Sequence, residues 1–202
     1  MTDAGTTRTD AIVYLHGFNS GAGSIKGGQF EEAVSALRHP PSFFRPQLSH
    51  RPSQAIDTVE RWLDTCAPSS PSFVGSSLGG FYATVLAERT GGRAVLINPA
   101  LDPARDLAPY RGAQHNPYTG EDYLLGDEHF DDLVRMKVSR ATRPDRYLLL
   151  VQSGDEVLDW RTAVAFFAGA YQHVVGGGDH AFAGFADEIP AMLRFLGLTG
   201  GA

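Results

Sequence analysis

Short apolar runs alternate along the chain with segments in which apolar residues recur every three or four positions. The runs are Ala11–Leu15, Ser42–Phe44, Ser72–Gly75, Ala94–Ile97, Arg146–Val151 and Gln172–Val175. Their shortness and their β-branched or large apolar residues predict strands. Between them, helical spacing predicts helices over Gly28–Leu37, Ser53–Thr65, Leu78–Glu88, Trp160–Ala168 and Phe185–Phe195. Alternation of this kind implies parallel strands joined by crossover helices, an α/β fold with helices on both faces of the sheet.

Asn98–Arg143 breaks the alternation. It is rich in Pro, Gly, Tyr and Asp, and it exceeds the ~12–15 residues of a plain connection. It is expected to be a small cap, inserted after the fourth strand, with a helix at Glu128–Lys137. Asp127, Glu128, His129, Asp131 and Asp132 invite a metal reading, but neither ligand spacing nor a second histidine supports one. Carboxylates at a helix start favour the dipole and solvent, so a solvated helix and no metal are expected.

Composition changes the picture in three ways. At 202 residues the chain fits one domain, 1–202, with 98–143 as its cap. A net charge of -6 leaves no basic field for nucleic acid or an anionic membrane surface. Cys66 is the only cysteine, which removes an intrachain disulfide, a CxxC pair and a cysteine zinc cluster. Met1–Asp10 lacks the apolar core of a signal peptide, and no apolar run approaches the ~18 residues that cross a bilayer. A cytoplasmic location without membrane insertion is the expectation.

Gly75-Ser76-Ser77-Leu78-Gly79 follows an apolar strand and opens a helix. A sharp strand-to-helix turn forces its middle residue into a strained conformation, and the flanking glycines remove side chains that would clash. Ser77 would then present its hydroxyl above the sheet at a helix N-terminus. A serine of ordinary pKa needs a base and an orienting acid. His180 stands after the last strand in Gly176-Gly177-Gly178-Asp179-His180, and Asp155 stands at the end of the fifth. The chain order Ser77, Asp155, His180 is that of α/β-hydrolases. Glu156 and Asp159 compete with Asp155. His173 falls in a strand, Asp179 suits the turn, and His39, His50, His115 and His129 fall on surface or cap segments.

Acyl transfer also needs two donors for the developing oxyanion. One is the N–H of Leu78. The other is assigned to Phe18 in His16-Gly17-Phe18-Asn19-Ser20, after the first strand; the competing reading makes His16 a packed residue in a simple turn. Gly21–Gly28 fails as a nucleotide loop, because no Gly-Lys pair occurs and the third glycine of Gly-x-Gly-x-x-Gly comes one residue late. It is read instead as a mobile segment at the mouth of the site, where Lys26 with Arg45 or Arg51 could meet an anionic part of a substrate.

Taken together, Tyr14–Ser20, Val74–Thr84, Asn98-Pro99-Ala100, Asn116–Gly120, Gly154–Asp159 and Gly178–Phe182 resemble the small YqiA-like esterases of the α/β-hydrolase superfamily. The resemblance spans residues 14 to 182. It implies a compact α/β-hydrolase fold of about six mostly parallel strands in the order 2-1-3-4-5-6, without the superfamily's N-terminal hairpin. It implies hydrolysis of short-chain esters, extending to acyl-CoA thioesters, with no metal or cofactor, and it carries over Ser77, Asp155 and His180 as the triad. In the cap, Tyr110, Tyr118, Tyr123, Leu124 and Leu125 are the apolar residues expected to rim the acyl chain, with Tyr123 and Leu124 as its contacts. An acyltransferase, a serine peptidase and a non-catalytic binding protein on the same scaffold remain as alternatives.

Overall fold

Beyond the first residue of each, the central strands are buried throughout because alternate side chains feed two separate apolar layers. The structure is a computed structural model and describes residues 8–198; the stretch from Met1 to Thr7, read for the absence of a leader, lies outside them. The chain runs through β1 (Ala11–Leu15), α1 (Ile25–Ser35), β2 (Ser42–Phe44), α2 (Pro52–Cys66), β3 (Pro71–Ser76), α3 (Leu78–Thr90) and β4 (Arg93–Ile97). The insert follows with α4 (Pro103–Asp106), β5 (Gly112–His115), β6 (Asp122–Leu125) and α5 (Asp127–Met136). The chain returns through β7 (Tyr147–Gln152), α6 (Trp160–Phe166), β8 (Tyr171–Val175) and α7 (Phe185–Phe195).

Six strands form one parallel sheet in the order β2-β1-β3-β4-β7-β8. Counted among the sheet strands alone this is the expected 2-1-3-4-5-6. Ile12 and Tyr14 face one layer with Phe30 and Val34 of α1 and Ile189 and Met192 of α7. Val13 and Leu15 face the other, with Ile56 of α2, Phe81 and Leu86 of α3 and Ala163 of α6. The order reverses between β1 and β3, and in such sheets the crevice at the strands' carboxyl ends is the place for a ligand.

The insert differs from expectation in two respects. It contains an antiparallel hairpin, β5 with β6, pairing Gly112 with Leu125 and Gln114 with Tyr123; the run Gly-Ala-Gln-His has no β-branched residue to announce a strand. Its helix α5 also does not lie wholly in solvent. Leu133 joins the α2–α3 layer, while Asp132 and His129 are only 2% and 1% exposed. Asp132 accepts the Ser53 N–H at 3.2 Å and binds Arg51 and Arg135, so its charge is compensated. His129, expected on a solvated cap helix, instead meets His50 Nδ1 at 2.8 Å through its Nε2.

Candidate active site

Crowding of the backbone explains both glycines of the Ser77 turn. A Cβ on Gly75 would lie 2.1 Å from the Gly79 carbonyl oxygen, and one on Gly79 would lie 2.0 Å from that of Leu15. Ser77 itself has φ 57° and ψ -121°, a conformation that costs about 1–3 kcal/mol and persists only where its surroundings hold it. Here they do. Its N–H donates to the Ile97 carbonyl at 3.0 Å, and its own carbonyl accepts from Gly80 at 2.9 Å and Ala100 at 3.1 Å.

The Ser77 Oγ lies 3.0 Å from His180 Nε2. On the other side of the ring, Nδ1 lies 3.0 and 2.9 Å from the two carboxylate oxygens of Asp155. Asp155 also accepts the N–H groups of Val157 and Leu158, each at 2.9 Å. Burial alone would raise its carboxyl, but the hydrogen bonds from His180, Leu158 and Val157 outweigh that and hold it below the ordinary aspartate range. The competing acids have other partners. Glu156 accepts the backbone N–H of His180 at 3.0 Å, and Asp159 caps α6 by accepting from the Arg161 N–H. His173 pairs with Glu188 of α7 at 2.7 Å, and His115 with Asp122 of the hairpin.

Sequence reasoning did not foresee what holds the His180 loop. Asn98, buried and in the left-handed region at φ 41°, donates from Nδ2 to the carbonyls of Asp179 and His180 at 3.0 and 3.2 Å. Its Oδ1 accepts the Gln152 N–H at 3.0 Å. Gln152 then donates to the Ala183 carbonyl and accepts from the Asp179 N–H, at 2.7 and 2.9 Å. Asn98 was visible only within Asn98-Pro99-Ala100; Gln152 carried no signal beyond its place at a strand end.

His16 is buried, and its tautomer follows from its partners. Nε2 accepts the Leu48 N–H at 3.0 Å, so the proton sits on Nδ1 and is donated to the Gly17 carbonyl at 3.0 Å. Burial pushes its pKa down, which keeps the ring neutral. The ring thereby ties the start of the 17–20 loop to the segment after β2. Among the described residues, neither the Phe18 nor the Leu78 N–H has a hydrogen-bond acceptor, which leaves both available to a ligand.

Ser77 and His180 open into a cavity of about 490 Å³ that Phe18, Lys26, Tyr118 and Phe182 also line. Tyr123 does not reach it. It borders a separate hollow of about 30 Å³ with Phe18 and Leu78, donates its hydroxyl to Asn19 Oδ1 at 2.7 Å and stacks on His50. Burial pushes its phenol up to about 12. Leu124 is corrected outright: strand alternation turns it to the opposite face of the hairpin, where it is 67% exposed and borders neither cavity. Of the cap residues expected at the acyl chain, Tyr118 is the one that lines the larger cavity. Arg45 and Arg51 are likewise drawn away, onto Glu31 and onto Glu128 and Asp132.

Among the described residues, no group of three or more His, Cys, Asp or Glu side chains could hold a metal ion, and no helix is long and apolar enough to cross a membrane. The profile of the family described as "Uncharacterised protein family (UPF0227)" matches residues 11–197. The chain belongs to UPF0227. A UPF0227 protein of Shewanella sediminis (strain HAW-EB3) is 27% identical over 165 residues, covering 80% of this chain and 84% of that protein. Among solved structures, mouse alpha/beta hydrolase domain-containing protein 10 aligns with a TM-score of 0.70 at 18% identity, over 94% of this chain and 90% of that one. A monoacylglycerol lipase of Paleococcus ferrophilus aligns at 0.64 and 16%, over 94% and 95%. The UPF0227 chain thus has the α/β-hydrolase fold, as its resemblance to YqiA-like proteins implied.

Proposed function

We propose that this UPF0227 chain is a serine hydrolase of carboxylic esters, with acyl-CoA thioesters as acyl donors of the same chemistry. The observation that carries the reading is the unbroken hydrogen-bond chain from Ser77 Oγ through His180 to buried Asp155. His180 Nε2 takes the Ser77 proton as Oγ bonds to the acyl carbon. The carbonyl electron pair moves onto oxygen, and the N–H groups of Phe18 and Leu78 stabilise that oxyanion. As the carbon–oxygen (or carbon–sulfur) bond breaks, His180 protonates the leaving group. Water, deprotonated by the same imidazole, then releases the acid and returns the proton to Ser77. Asp155 holds the ring in the Nδ1–H tautomer and stabilises the imidazolium.

In this reading the 98–143 insert forms part of the same domain: Tyr118 walls the cavity, and the β5–β6 hairpin braces the 17–20 loop through Tyr123 and Gln114. The names of the solved neighbours, a hydrolase domain and a lipase, agree with it. Incubation with a fluorophosphonate followed by peptide mapping tests it. Label is expected on Ser77 alone, and Ser77→Ala should fold normally while losing at least ~10³-fold in ester turnover. Label on another serine, or a variant keeping a tenth of wild-type turnover, refutes it.

A further inference from the structure

Among the described residues, the walls of the 490 Å³ cavity carry no Asp or Glu, and Lys26 is their only fixed cation. This is a local inversion of sign in a chain of net charge -6. Only one other lysine exists, Lys137, and it pairs with Asp102 at 2.6 Å. Lys26 has no carboxylate within ion-pair distance among the described residues. Its Nζ donates to the Ala181 carbonyl at 2.7 Å, which leaves two of its three ammonium protons for another acceptor. Ala181 follows His180 directly, so this carbonyl anchors the charge beside the reacting centre. Lys26 also stands in the first turn of α1, whose dipole adds the same sign.

Resting on the esterase reading, we propose that the cavity accepts esters bearing an anionic group and that Lys26 is the residue that receives it. An unpaired ammonium in a half-buried cavity gains a charge-assisted hydrogen bond that a neutral ester cannot supply. Burial holds the Lys26 amine below its ordinary range, with Asp179 offsetting part of this; a bound anion acts in the same direction as Asp179. The competing role is a strap, in which Lys26 merely ties α1 to the His180 loop.

Two matched pairs of esters separate these roles. On the acyl side, 4-nitrophenyl hemisuccinate is compared with 4-nitrophenyl butyrate. On the alcohol side, the butyryl ester of 3-hydroxybenzoate is compared with that of 3-hydroxybenzamide. In at least one pair the wild type should show the higher kcat/KM for the anionic member, and the pair that responds assigns the side on which the anion sits. Lys26→Gln keeps a donor for the Ala181 carbonyl but removes the charge. It should lower the anionic-to-neutral ratio ~10–100-fold, while Lys26→Arg should hold it within a few-fold. A wild type that favours the neutral ester in both pairs overturns the proposal without any variant. So does a ratio unchanged in Lys26→Gln, since a strap slows both members equally. Should Lys26→Gln melt before assay, the wild-type ratios together with Lys26→Arg decide. No hydrolysis of any of the four esters, or hydrolysis that survives Ser77→Ala, refutes the esterase reading itself. Hydrolysis that needs Ser77 but ignores charge refutes only the role of Lys26.

Discussion

The turn that presents Ser77 is shaped by backbone crowding, while the loop that presents His180 is shaped by side-chain hydrogen bonds. In the turn, Gly75 and Gly79 are required because carbonyl oxygens stand where a Cβ would go, and the bonds that fix the Ser77 main chain are between backbone groups. The loop has glycines too, at Gly177 and Gly178 with φ near 75°, yet its position depends on Asn98, Gln152 and Glu156 reaching its backbone. The two halves of one hydrogen-bond chain therefore fail in different ways. Substitution in the turn deforms the main chain; substitution around the loop moves one ring while the sheet stays intact.

Asp155→Asn gives the strongest test of that contrast, because it leaves the turn untouched and alters only what faces His180 Nδ1. An amide in that place favours the wrong tautomer, and kcat should fall by ~10⁴-fold. Asp159→Asn, chemically the same change four residues later, replaces one good helix cap by another and should leave both kcat and Tm near wild type. Steady-state kinetics with thermal melts on the two proteins decide it; the reverse ranking would place the acid at Asp159.

A smaller effect is expected at Asn98. Asn98→Ala removes the donors to Asp179 and His180 and the acceptor for Gln152, so the His180 ring loses its fixed position. Displacement of about 1 Å costs on the order of 10²-fold. A fall in kcat of ~10–100-fold with KM little changed is expected, together with a lower Tm. Equal losses in kcat and in folded fraction would mean that Asn98 supports the sheet rather than the loop.

The smallest effect belongs to the hairpin. Tyr123→Phe deletes one neutral hydrogen bond, to Asn19, beside the Phe18 N–H, and should lower kcat ~2–10-fold, the size of such a bond. Leu124→Ala on the exposed face should change neither kcat nor the dependence on acyl length. A chain-length series of esters assayed on both variants checks the pair, and a length-dependent loss in Leu124→Ala would show that the hairpin turns over when substrate binds.

What was legible in the sequence follows the same division. β1, β3, β4 and β7 declare themselves because strands buried on both faces must be apolar throughout. Ser77 declares itself because only glycine fits around it. Asn98 and Gln152 do not: an amide that hydrogen-bonds to backbone is chemically ordinary, and several residue types could do the same work. Leu124 was misplaced because an apolar residue in a short hairpin gives no sign of which face it takes, and one position in register reverses the answer. His129 and Asp132 were misplaced because partners from another segment, His50, Arg51 and Ser53, bury them.

Under the esterase reading, the distance along the chain between Ser77 and His180 has a consequence during synthesis. The two residues are separated by 103 positions. At ~5–20 residues per second, a ribosome needs about 5–20 s to add that stretch. Ile97 and Ala100, which hold the Ser77 turn, are made early in this interval, whereas His180 comes last; on the esterase reading the Ser77 hydroxyl lacks its base until then. On that reading the serine of a nascent chain is dormant, and a truncated product that ends after Ala100 and before His180 carries the residues of the turn without the base.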